Sequence, residues 1–152
     1  MLRRLVAALA AVVLVVEAAV LVLVHVVLGR TTANQSMSIA GSDPDVMSKA
    51  TYGLGAGMGV FLVLCAVLLA LTALRDRAPG RFARIVLITA AVTHGVLGVL
   101  AVALVGWPAF AALMVILCLV VLTLVLYAAR PGPAEVKDTP PPALGELRPT
   151  NP

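Results

Sequence analysis

Charge is scarce in this sequence. Of its 152 residues only 12% are Asp, Glu, Lys or Arg and 62% are hydrophobic, where a soluble domain has about a quarter charged and about half apolar. With a mean hydropathy of +1.11, the chain has too little polar surface to face water all round, which excludes a soluble globular domain. No stretch outside the apolar runs is long enough to bury a core, so a large extramembrane catalytic domain is excluded too. Aromatic residues are few, at 4%, and no basic patch is interleaved with them, which argues against nucleic-acid binding. The two cysteines, Cys65 and Cys118, form no CxxC pair, and HxxxH, H-E-x-x-H, G-x-S-x-G and P-loop motifs are all missing. Neither a catalytic activity nor a cofactor is expected.

What the chain does have is four apolar runs, at about 5–28, 53–74, 85–106 and 109–129. Each is roughly 21–24 residues, or about 31–36 Å as a helix, enough for a hydrocarbon core of about 30 Å. The runs lack period-2 alternation, so a barrel is excluded, and they lack a polar stripe, so the helices face lipid. Arg3 and Arg4 precede the first run as they would in a signal peptide. The apolar part of a signal peptide is only about 7–15 residues, however, and ends at a small-x-small site. Here it continues to Leu28 and carries Glu17. The expected fold is an all-α, four-helix transmembrane bundle over 1–130, followed by a disordered proline-rich tail over 131–152, where seven of the ten prolines lie.

An even span count puts both termini on one side. Arg3, Arg4, Arg75, Arg77, Arg81, Arg84, Arg130, Lys137 and Arg148 share that side, and only Arg30 and Lys49 face the other. The positive-inside rule then makes both termini cytoplasmic and the protein a multi-pass component of the cell membrane. Tyr52 and Trp107 fall at the outer boundary and Phe82 and Tyr127 at the inner one, as interfacial anchors do. Trp107-Pro108 marks a break so short that the last two helices form a tight hairpin. In the outer loop, 29–52, Asp43-Pro44 reads as a helix cap and first-turn proline, which starts the second helix before its apolar part. Asn34-Gln35-Ser36 fits a glycosylation pattern, although the Ala/Val/Leu/Arg-heavy vocabulary points to a bacterial source. The inner loop 75–84 is a basic turn that holds topology and meets lipid phosphates. The tail's Pro140-Pro141-Pro142 is compatible with a proline-reading partner.

Glu17 is the most informative residue, because an acid near mid-membrane costs several kcal/mol on insertion scales. Counted from the basic anchors at ~1.5 Å per residue, Glu17, Cys65, His94 and Cys118 lie within about 5 Å of one another in depth. His94 shares a helix face with Ala83, Ala90, Gly98 and Ala101, which points it into the bundle. Three readings compete. A Glu17–His94 hydrogen bond satisfies two buried polar groups and sets bundle register. Alternatively the pair exchanges protons during transport, or His94, a cysteine (Cys65 or Cys118) and Glu17 form a metal or haem site. His25, near the outer boundary, is expected to make an interfacial hydrogen bond. Glycines supply helix packing: Gly53–Gly57 and Gly55–Gly59 are GxxxG pairs, and Gly95 and Gly98 follow on the third span.

In two features, the span count and the lone acid Glu17 in the first helix, the chain resembles the small multidrug-resistance transporters. It lacks the tryptophan and tyrosine residues that those proteins place along their inner helices to hold aromatic cations. It also has a longer outer loop and the proline-rich tail, so no membership follows. The sequence therefore predicts a structural or accessory membrane protein that associates with itself or a larger membrane complex through its glycine faces. The alternative is a small proton-coupled transporter or channel using Glu17 and His94.

Overall fold

The computed structural model describes residues 1–34, 41 and 43–128. The proline-rich tail 131–152, together with Gln35 and Ser36 of the glycosylation pattern, lies outside the described residues. Four helices follow in order: α1 (Leu2–Asn34), α2 (Pro44–Arg75), α3 (Arg81–Leu104) and α4 (Trp107–Ala128). All four are long and apolar enough to cross a membrane. Even α4, with 22 residues, reaches about 33 Å at ~1.5 Å per residue.

Two boundaries differ from the sequence expectation. The described part of the segment 29–52 is mostly helical rather than a loop: α1 continues to Asn34, past the expected end of its span, whereas α2 begins at Pro44 as the Asp43-Pro44 pair indicates. Local bonding explains the extension. Asp43 caps α2 by accepting the Asp45 N–H at 2.8 Å, with Pro44 in the first turn, where a missing N–H costs nothing. The Thr31 and Thr32 hydroxyls donate to the Val27 and Leu28 carbonyls, each at 2.9 Å. Ser48 then donates to the Gly29 carbonyl at 2.8 Å, so α1 and α2 stay joined beyond their apolar parts. The second difference is the α3–α4 break, which falls at Val105-Gly106 and leaves Trp107-Pro108 inside the first turn of α4. The Ala101 carbonyl accepts from both the Val105 and Gly106 N–H groups, and Gly106 sits at φ +116, where a side chain would be strained.

The helices pack around a square. α1 lies most extensively on α2, α3 on α4, and α4 also on α1, while α2 and α3 meet only sparsely. α1 and α3 therefore face each other across one diagonal and α2 and α4 across the other. The core holds mainly small residues, among them Ala7, Ala10, Ala18, Ala66 and Ala90, layered with Leu14, Leu62, Leu69, Leu87 and Val120. Large aliphatics such as Val60, Val99 and Leu74 point outward. This arrangement suits lipid, where close backbone approach rather than the expulsion of water drives helix association.

Candidate functional site

His94 and Glu17 meet across the α1–α3 diagonal. His94 stands one turn above Ala90 on the small-residue face of α3 and is buried, and its Nε2 lies 3.0 Å from Glu17 Oε2 and 3.2 Å from Oε1. The opposite ring nitrogen, Nδ1, lies 2.7 Å from the Ala90 carbonyl oxygen. A carbonyl only accepts, so Nδ1 carries a proton and donates it there. One proton then occupies the contact between Nε2 and Glu17, either on the ring, giving an ion pair, or on the carboxyl, giving a neutral pair. Both arrangements have zero net charge, the condition a low-dielectric interior favours. Neither side chain is left with an unsatisfied buried polar atom.

The pair is not sealed. Glu17 retains 17% of its side-chain surface and lines a groove of about 440 Å³ between α1 and α4, with Val13, Val20, Leu113, Ile116 and His25 around it. His25 donates from Nδ1 to the Leu21 carbonyl at 2.8 Å within its own helix. The cysteines part company. Cys65 is buried in the core with Leu14 and Ala18, whereas Cys118 is exposed on α4. Among the described residues no three His, Cys, Asp or Glu side chains gather closely enough to hold a metal ion.

The glycines also divide. A Cβ on Gly55 would collide with His25, one on Gly59 with Val22 Cγ2, and one on Gly98 with the Met114 side chain. These three are packed within the chain. By contrast a Cβ on Gly53, Gly57 or Gly95 would meet nothing within 4 Å among the described residues. Gly53 and Gly57 begin an exposed stripe on α2 that continues through Val60, Leu64, Val67 and Leu71.

Sequence reasoning missed a cluster at the arginine-rich end. Asp76 ends α2 in the left-handed region, at φ 50, a conformation Asp tolerates better than most residues. Its carboxylate accepts from Arg3 Nη2 at 2.5 Å and from the Tyr127 hydroxyl at 3.4 Å. The Arg3 guanidinium lies 5.4 Å over the Tyr127 ring, and Arg4 Nε donates to the Ala73 carbonyl at 3.1 Å. The Arg3 hydrogen bond holds the Asp76 carboxyl below its ordinary range. Tyr127 is thus buried, at 4% exposure, and not the interfacial anchor its position suggested. Trp107, at 71%, is as open as an anchor should be. The available signal was Asp76 itself, the single acid in a loop of arginines.

Fold and site together define a small four-helix bundle of membrane-spanning length, with one polar pair across its centre. No protein-family model, no curated protein and no solved structure matches the chain.

Proposed function

We propose that this is a structural or accessory protein of the cytoplasmic membrane, without catalytic activity, that associates with itself or a larger membrane complex through the Gly53–Gly57 face of α2. One observation carries the reading. Glycine inside a helix costs about 1 kcal/mol relative to alanine, and Gly55, Gly59 and Gly98 offset this by close packing inside the chain. Gly53 and Gly57 have no such packing among the described residues, so a benefit for them lies with another helix. The Glu17–His94 bond serves this role by pinning bundle register. The test is Gly53→Leu combined with Gly57→Leu, followed by crosslinking in native membranes. Association should disappear while the monomer stays folded, and undiminished crosslinking would refute the proposal. Leucine at Gly55 or Gly59 is unsuitable for this purpose, because it would strike His25 or Val22 and unfold the monomer.

A second reading is favoured by the groove that reaches Glu17: a proton-coupled transporter in which the shared proton of the pair is exchanged. In that case Glu17→Gln abolishes transport by reconstituted protein while leaving it folded. Loss of folding in that variant, without a transport activity to lose, favours the structural role.

A further inference from the structure

The sparse meeting of α2 and α3 leaves a cleft of about 550 Å³ at the arginine-rich end. Part of its lining is apolar, from Leu68 and Leu71 on α2 and Ala83 on α3. The Thr72 hydroxyl donates its proton to the Leu68 carbonyl at 2.8 Å, so it offers the cleft an acceptor only. The rim is cationic, formed by Arg75 and Arg77 around the turn Ala78-Pro79-Gly80. Neither arginine has a carboxylate partner among the described residues, nor do the nearby Arg81 and Arg84. Asp76, the one acid in this loop, is turned away to Arg3 and Tyr127. The Arg3 contact that steadies the helix ends thus also leaves the rim without a carboxylate among the described residues.

The geometry points to a binding site for one anionic phospholipid from the adjoining leaflet, its phosphate held by Arg75 and Arg77 and an acyl chain lying along Leu68 and Leu71. Three features specify that occupant. The rim sits where a bilayer's phosphates lie, just past the last apolar turn of α2. Two guanidinium groups match the phosphate in charge and in donor geometry. The apolar part of the cleft has no use for inorganic phosphate, and among the described residues the rim offers no anion to balance the ammonium of a zwitterionic lipid. Basic pockets between membrane helices hold anionic headgroups by this combination. The site meets the exposed α2 stripe only at Leu71 and involves neither Gly53 and Gly57 nor the Glu17–His94 pair.

The experiment is native mass spectrometry of the full chain in mild detergent, titrated with phosphatidylglycerol, phosphatidylcholine or inorganic phosphate. One phosphatidylglycerol should be retained in preference to phosphatidylcholine, and millimolar inorganic phosphate should not displace it. Combining Arg75→Gln with Arg77→Gln should weaken retention about 30-fold, from the loss of two arginine–phosphate attractions. Arg30→Gln, at the opposite end, should change nothing. Leu71→Trp keeps every charge but fills the cleft, and it too should weaken retention. Equal retention of phosphatidylcholine, displacement by phosphate, or indifference to Leu71→Trp would each overturn the site.

Discussion

Glu17 and His94 illustrate how far a single residue can be read. That a mid-membrane acid needs a partner follows from the energy of an isolated charge in lipid. The choice of His94 follows from depth and from a face of small residues. Distance and tautomer came only with the packed bundle, because they depend on a diagonal that no helix wheel specifies. If the pair acts as one unit, His94→Leu strands Glu17 and should lower resistance to denaturing detergent by about 1–3 kcal/mol. Adding Glu17→Leu to it should recover part of that loss. Strictly additive effects in the two-variant cycle would show that the groups do not interact. Asp76 allows a pH prediction. Its carboxyl is depressed by the Arg3 hydrogen bond, so its contribution to stability is complete above the unfolded value of about 3.9 and is lost as pH falls through the lower folded value. Melting curves taken between neutral and strongly acidic pH should show this loss in the native chain and less of it in Asp76→Asn. Asparagine tolerates the same left-handed backbone, which leaves the carboxylate as the only change.

At the scale of elements, the existence and number of the helices were legible, because long uniform apolar runs admit no other structure in lipid. Their ends were less so. The Asp43-Pro44 cap marks the start of α2 in the sequence, but the extra turns of α1 are held by Ser48 on the Gly29 carbonyl and by Tyr52 against Gly29, contacts between residues about twenty apart that hydropathy does not register. Nor could spacing say which of two interleaved glycine pairs turns inward. Gly55→Ala and Gly59→Ala should loosen the α1–α2 pair and lower the melting temperature. Gly57→Ala should raise monomer stability by about 1 kcal/mol through helix propensity while weakening association. A Gly57→Ala variant that destabilises the isolated monomer would show that this glycine packs inside the chain after all.

For the whole molecule, the imbalance of basic residues predicts an orientation that labelling can check. In a background with Cys65 and Cys118 replaced by Ala, Arg30→Cys should react with an impermeant maleimide on intact cells. Arg77→Cys should react only after the cells are opened. The reverse pattern would invert the topology and place the arginine-rim lipid site in the other leaflet.

Composition and run length by themselves determined that this chain forms four helices of membrane-spanning length, since backbone amides in lipid have nowhere to bond except along their own helix. Which helices are neighbours, which glycines lie inside, that Tyr127 is buried beside Asp76, and that α2 and α3 stand apart enough to leave a cleft were decided only by tertiary packing. Those outcomes depend on the rotation of each helix about its axis. In a chain apolar on every face, side-chain fit sets that rotation and hydropathy does not.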